Sequence, residues 1–406
     1  MTREPVKWTR NPGSGGERPD SLSLMGLGET GKARNFHRSF PQYEETPLVK
    51  LPGLASALGI KGFFIKDESK RFGLNAFKVL GGSYAIGRYI ARRLGKDISE
   101  LDYGALVSEE TRKKTGNITF YTATDGNHGR GVAWTANKLG QKSVVLLPKG
   151  SSPTRLENIR KEGAEVCVTD LNYDDAVRFA SRKAGLDRNG VMVQDTAWEG
   201  YEDIPGWIMQ GYGTMAYEAY DQLRAAGVET PTHIFVQAGV GSLAGAVQGF
   251  FTNAYSDNGP VTVVVEASAA DCLYRSALAG KLTPVGGDPS TIMAGLACGE
   301  ANLISWKILK RYVSFFVSAP DWVASRGMRV LAAPVGGDAP VVSGESGAVT
   351  TGLLATALMD GEQEALRGDL GLSPDSVVLA FSTEGDTDPV RYRNIVWDGE
   401  FPSGNF

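Results

Sequence analysis

The stretch Ile118-Thr-Phe-Tyr-Thr-Ala-Thr-Asp-Gly-Asn-His-Gly-Arg-Gly-Val-Ala-Trp-Thr-Ala-Asn-Lys-Leu-Gly-Gln-Lys-Ser-Val-Val-Leu-Leu147 decides the fold. Ile118–Ala123 is a β-branched and aromatic run suited to a strand. Gly129 to Leu139 reads as a helix that Gly140 ends, and Ser143–Leu147 is again a strand. A strand, a helix and a strand in this order form a βαβ unit, whose two strands lie parallel in one sheet. The pattern continues downstream. Thr154 to Glu162 is helical with Gly163 as its stop, Glu165–Thr169 is a strand, Asp174–Ala184 a helix and Val191–Gln194 a strand.

Outside this block the same grammar recurs. Lys61–Asp67 reads as a short buried strand, and Thr232–Val236 as a strand that runs into a glycine loop and a helix. Val261–Val265 and Ser376–Phe381 are further strands, and roughly the first 40 residues are a polar, Gly/Pro-containing arm. The expectation is an α/β protein with two parallel or mostly parallel sheets, flanked by helices, and a cleft between them.

Composition narrows the function classes. The 406 residues are 42% hydrophobic and 22% charged, an ordinary globular balance. A formal net charge of −4 gives no reason to expect nucleic acid as a partner. The apolar runs stop short of a membrane span, and the first residues lack the apolar core of a signal peptide. Three widely spaced cysteines, Cys167, Cys272 and Cys298, suggest neither a disulfide framework nor a zinc site, which fits a reducing cytoplasm. Three histidines leave little for a metal centre. Glycine is the outlier at 51 residues, clustered in short loops where backbone would come close to a ligand.

Several of these loops carry chemistry. Lys78 precedes a Gly-Gly-Ser turn and an apolar run, so its amine sits at the start of an expected helix beside Phe77, Val79 and Leu80. Desolvation and the helix dipole both favour a neutral, nucleophilic amine there. Asp125-Gly-Asn127-His-Gly lies where a strand gives way to a helix, the usual ligand edge of an open α/β sheet, although Asp and Asn are also ordinary helix caps. Gly239-Val240-Gly241-Ser242-Leu243 opens another helix and offers backbone N–H groups to a phosphate. Its spacing is neither a dinucleotide fingerprint nor a P-loop. Asp195 ends a strand, and Ser382 and Thr383 place hydroxyls directly after another. Glu345, in Ser-Gly-Glu-Ser-Gly, reads as a helix-start carboxylate more than a site residue. A lysine for a Schiff base, a phosphate cradle, an amide for a phenolic oxygen and a hydroxyl for a ring nitrogen together suit pyridoxal 5'-phosphate.

At these residues the sequence resembles the fold-type II pyridoxal-phosphate enzymes, the group of serine/threonine dehydratases, threonine synthase and cysteine synthase. Within it the sequence is most similar to the diaminopropionate ammonia-lyase family. The runs that carry the resemblance are Lys66–Ser69, Arg71–Ser83, Ala123–Trp134, Gln194–Tyr201, Thr291–Gly299 and Ser382–Asp388. The resemblance implies a larger cofactor domain of residues 41–85 plus 181–406 and a smaller domain of residues 86–180. It implies Lys78 as the Schiff-base lysine, Asn127 as the contact of the ring oxygen, Gly239 to Leu243 as the phosphate cradle with Ser242 adding its hydroxyl, and Ser382 or Thr383 as the partner of the ring nitrogen. A homodimer is also implied.

Asp125 separates the possible substrates. Serine dehydratases usually carry a small residue at this point. A carboxylate there either pairs with a second ammonium on the substrate or removes an α-proton from the face opposite Lys78. Asp195 adds a second carboxylate. The expected reaction is α,β-elimination of D- or L-2,3-diaminopropionate, a small amino acid, to pyruvate and two ammonia. Lys78 and Asp125 then serve opposite enantiomers. The alternatives are a serine/threonine dehydratase and a non-catalytic cofactor-binding protein of the same fold.

Overall fold

The alternation of strands and helices is realised as two separate sheets. The structure is a computed structural model that describes residues 3–13, 17–124, 126–256, 259–287 and 289–404. In chain order the strands are β1 (Lys7–Arg10), β2 (Leu48–Lys50), β3 (Gly62–Asp67), β4 (Thr119–Ala123), β5 (Lys142–Leu147), β6 (Glu165–Val168), β7 (Gly190–Met192), β8 (His233–Gln237), β9 (Val261–Ala267), β10 (Phe315–Ala319) and β11 (Val377–Ser382).

The larger sheet has the order β1-β10-β9-β8-β11-β3-β2, and the smaller has the order β6-β5-β4-β7. Every pairing in the smaller sheet is parallel. In the larger sheet only the two edges run antiparallel, β1 on β10 and β2 on β3. Strands β3, β8 and β10 are buried at every residue, as parallel strands must be when helices cover both faces. Strand β7 belongs to the smaller sheet through β4, so that sheet extends beyond residue 180.

Three elements depart from the sequence reading. The first 40 residues are not merely an arm. They supply β1 and the helix Leu27–Arg38, which packs on the long helix Asp203–Ala225. Strand β10 completes the larger sheet between β9 and β1. The helix Asp203–Ala225 is buried along most of its length, so its surface lacks the polar stripe by which an amphipathic helix is read.

The helix Val79–Leu94 packs against Asp203–Ala225 and against the helix Asn127–Lys138. The approach is close enough to need glycine. A Cβ on Gly211 would stand 2.3 Å from the carbonyl oxygen of Leu80, and one on Gly131 would stand 2.7 Å from Cα of Val79. The backbone next to Lys78 is therefore clamped between two helices.

Beneath this contact lies a buried ionic cluster. Arg71 donates to both Glu68 and Glu218, and Lys66 Nζ sits 2.7 Å from Glu218, all with fully buried side chains. Lys66 Nζ also donates to the Thr46 carbonyl and to Gln222 Oε1. Charges this deep need such complete pairing to remain ionised.

Candidate active site

The carboxyl ends of five strands meet at one pocket. Strands β3, β11 and β8 are neighbours in the larger sheet, and they lead into Lys78, Thr383 and the 239–243 loop. Strands β4 and β7 are neighbours in the smaller sheet, and they lead into Asn127 and Asp195. This is the crevice at strand ends where open α/β sheets bind ligands. The pocket is lined by Lys78, Asn127, Asp195, Gly239, Val240, Gly241, Ser242, Leu243 and Thr383. Asp125 lies outside the described residues.

Lys78 stands at the N-cap of the helix Val79–Leu94, as its sequence context implies. Its position is fixed from the larger sheet: the Phe77 N–H donates to the Thr383 carbonyl, and Ala76 bridges Glu384. Lys78 Nζ donates to Asp195 Oδ2 at 2.5 Å, with the Asp195 side chain 1% exposed. Burial pushes the Asp195 carboxyl up. The Lys78 ammonium and then His128 outweigh it and hold Asp195 below the usual carboxylate range. Phe77 and Tyr212 form the apolar side of this pair, with Nζ 5.6 and 5.9 Å from their ring centroids. The Tyr212 hydroxyl is buried beside Lys78 and Asp195, and burial pushes its pKa well up.

The backbone of Asp195 is tied to the glycine loop. Its carbonyl accepts from Ser242 Oγ at 2.5 Å and from Asn302 Nδ2 at 2.7 Å, while Ser242 Oγ accepts from Asn302 Nδ2. The Ser242 proton is thus already committed, so what the loop presents to a ligand is backbone N–H. Gly241, at φ +94°, turns the chain into the helix Ser242–Tyr255, whose first-turn N–H groups have no helical acceptor. A Cβ on Gly239 would stand 3.1 Å from the Gly295 carbonyl, so the wall opposite the loop is also close.

The two hydroxyls after β11 separate. Ser382 Oγ donates to Ser343 Oγ beneath the pocket and is not part of its lining. Thr383 lines the pocket. Its Oγ1 accepts from Gln237 Nε2 at 2.8 Å, which leaves its own proton for another acceptor. Gln237 Oε1 is buried with no partner among the described residues.

The lining includes residues that sequence reasoning did not assign: Phe77, Gln237, Gly295, Leu296, Cys298, Ser346 and Glu384. Each flanks or falls within a motif already singled out, so adjacency was the available signal. Glu384, one residue past the hydroxyl pair, accepts from Asn127 Nδ2 at 2.6 Å. Glu345 is the first residue of the helix Glu345–Met359 and lies outside the lining. Burial, and next the Glu384 charge, push its carboxyl up to about 7.

The donor set fits pyridoxal phosphate. A primary amine, an amide, a row of helix-start N–H groups and a hydroxyl with a free proton face one enclosed space, and the glycines leave room where any side chain would fill it.

A family model described as pyridoxal-phosphate dependent enzyme matches residues 40–382. The chain is 52% identical over 382 residues to the diaminopropionate ammonia-lyase of Salmonella typhimurium, covering 93% of this chain and 94% of that one. It is 50% identical over 381 residues to the diaminopropionate ammonia-lyase of Escherichia coli K12, covering 94% of each. The crystal structure of the Escherichia coli enzyme in complex with D-serine superposes with a TM-score of 0.91 at 46% identity, covering 98% of each chain.

Proposed function

This chain belongs to the pyridoxal-phosphate dependent enzyme family, and we propose that its reaction is the α,β-elimination of 2,3-diaminopropionate: the β-amine leaves as ammonia, and water hydrolyses the released aminoacrylate to pyruvate and a second ammonia. One observation carries the reading: a Lys78–Asp195 pair opens onto a glycine cradle, in a chain that aligns over 93% of its length with a named diaminopropionate ammonia-lyase.

Pyridoxal phosphate, when bound, supplies the electron sink that makes the α-proton of an amino acid acidic. The cradle from Gly239 to Leu243 holds the phosphate through backbone N–H groups. Asn127 would donate to the ring oxygen, and Thr383 is the hydroxyl for the ring nitrogen. Lys78 would hold the cofactor's aldehyde end, and its amine is placed to move the α-proton of one enantiomer. Asp195 holds Lys78 Nζ in place and presents a negative charge to a substrate that carries a second ammonium. Asp125 removes the α-proton of the other enantiomer from the opposite face. A smaller domain of residues 86–192, a homodimeric assembly and a cytoplasmic location complete the proposal. Among the described residues no helix is long and apolar enough to cross a membrane.

The test is product stoichiometry with purified holoenzyme. Diaminopropionate should yield two ammonia per pyruvate, with serine and threonine turned over far more slowly. One ammonia per keto acid, with serine as the better substrate, would make the protein a dehydratase. Asp125→Asn should impair one enantiomer by about 10²-fold or more and the other much less. Equal losses would assign Asp125 to substrate binding.

A further inference from the structure

We propose that Glu384 is a positioning residue that sets which way round the Asn127 amide faces, and thereby fixes the donor offered to the cofactor's ring oxygen. The proposal deepens the reading of Asn127 given above and rests on it. Glu384 is 4% exposed and lines the pocket. Its carboxylate joins two separate helix starts. Oε2 accepts from Asn127 Nδ2 at 2.6 Å, at the head of the helix Asn127–Lys138, and Oε1 accepts from the Ser346 N–H at 3.1 Å, in the first turn of the helix Glu345–Met359. Its backbone bridges Ala76, two residues before Lys78. The chain around it leaves room for it and little else. A Cβ on Gly344 would stand 3.0 Å from Glu384 Cγ, and one on Gly347 would stand 3.0 Å from the Glu384 carbonyl.

The chemistry follows from the shape of an amide. The two ends of an Asn side chain have nearly the same size but opposite polarity: Nδ2 carries two donors and Oδ1 only accepts. A carboxylate only accepts, so its partner must be Nδ2, and a charge-assisted bond to a buried group is among the stronger hydrogen bonds. One N–H of Nδ2 is then fixed on Glu384, and the second N–H of the same nitrogen remains for the pocket. Without an anionic acceptor the amide can turn over, and Oδ1 would then meet an oxygen of the cofactor. The same bond ties the smaller sheet's first helix to the end of β11 in the larger sheet, so it forms only when the two sides of the cleft are together.

Four variants of the full chain test this: Glu384→Gln, Glu384→Asp, Asn127→Ala and the double variant Glu384→Gln/Asn127→Ala. The readouts are the visible absorbance maximum of the bound cofactor, its dissociation constant by titration into apoprotein, and the apoprotein melting temperature. Glu384→Gln should shift the band and weaken cofactor binding on the order of tenfold, in the same direction as Asn127→Ala. The double variant should be no worse than Asn127→Ala alone, the signature of residues acting through one contact. Should Glu384→Gln fail to fold, Glu384→Asp keeps the charge but is too short to span both helix starts, and it should show the same band shift with little change in melting temperature. Wild-type band and affinity in Glu384→Gln or Glu384→Asp, or additive losses in the double variant, overturn the proposal while leaving Asn127 its role. Wild-type band and affinity in Asn127→Ala instead overturn the reading of Asn127 on which the proposal rests.

Discussion

Two lysines of this chain each face a buried carboxylate, yet they do different work. Lys66 meets Glu218 at 2.7 Å with both side chains fully buried, and Lys78 meets Asp195 at 2.5 Å with the lysine side chain 17% exposed. Around Lys66 the accounting is closed: Glu218, the Thr46 carbonyl and Gln222 take its three donors, and Arg71 shares Glu218. Lys78 stands at a helix start, with rings on one side and the glycine cradle's pocket on the other. The saturated pair is structural, and the pair that faces a pocket is poised for chemistry. Burial and pairing alone do not distinguish them. What distinguishes them is whether the amine has somewhere else to go.

The sharpest way to break this contrast is to remove each amine. Lys78→Ala should lower turnover by at least about 10³-fold and abolish the cofactor's visible band formed with a protein amine, a loss of activity far beyond any loss of stability from leaving Asp195 unpaired. Lys66→Met should do the reverse. It leaves Glu218 and Glu68 with one cation fewer in a dry site, at a cost of about 3–5 kcal/mol, while the folded fraction should keep kcat within about twofold of wild type. Chemical denaturation and single-turnover assays separate the two. A Lys66→Met protein that is stable but inactive would remove the distinction.

Acid sharpens it next. Burial pushes the Glu218 carboxyl up, but Arg71 and Lys66 outweigh it and hold it down at about 2 from an ordinary 4.5. A depressed carboxyl stabilises the fold fully above its unfolded pKa, and the contribution is lost as pH falls from 4.5 toward 2. His37 acts earlier. Burial, and next the Arg71 charge, hold it at about 3 from an ordinary 6.5. It packs neutral against Thr214, Leu80 and Ser83. Below pH 6.5 the unfolded chain binds a proton that the native imidazole refuses, so stability declines from 6.5 downward. Urea midpoints measured from pH 8 to pH 4 on the parent and on His37→Gln isolate this group: the parent should lose stability relative to the variant as pH falls below 6.5, while carboxyls pushed up by burial, such as Glu345, act in the opposite sense in both proteins. A difference between the two proteins that stays constant from pH 7 to pH 5 would contradict the assignment.

The same contrast explains what was legible in the sequence. The strands of the smaller sheet and β3, β8, β9 and β11 could be read because each is a short run rich in β-branched or aromatic residues, set off from its neighbouring helices by loops. Strands β1 and β2 could not. They are edges of four and three residues, partly exposed, and exist only by pairing with β10 and β3. Lys78 was legible because a glycine pair and a helix start follow it, although Gly81 and Gly82 lie inside the helix Val79–Leu94 and form no turn. Glu384 and Gln237 were not, because their roles depend on strands brought together from opposite ends of the chain. The Ser382–Thr383 pair shows the limit most plainly. Two adjacent hydroxyls are equivalent in sequence, and only the end of β11 at Ser382 separates one beneath the pocket from one that lines it.

The smallest expected effect concerns Ser242, where the sequence suggested a hydroxyl for the phosphate and the structure gives that hydroxyl to the Asp195 carbonyl. Ser242→Ala keeps the backbone N–H at the helix start, so the dissociation constant for pyridoxal phosphate should stay within about threefold of wild type. The loss falls elsewhere. The Asp195 carbonyl retains Asn302 Nδ2 at 2.7 Å, so the backbone holding the Lys78 partner loses one of two donors, and stability should drop by about 1 kcal/mol. A slightly looser Asp195 should appear as a modest fall in kcat without a change in cofactor affinity. A tenfold or larger rise in the dissociation constant would instead return the hydroxyl to the phosphate. It would also place Ser242 with Lys78, among the groups that face the pocket, and no longer with Lys66, among those whose bonds are already complete.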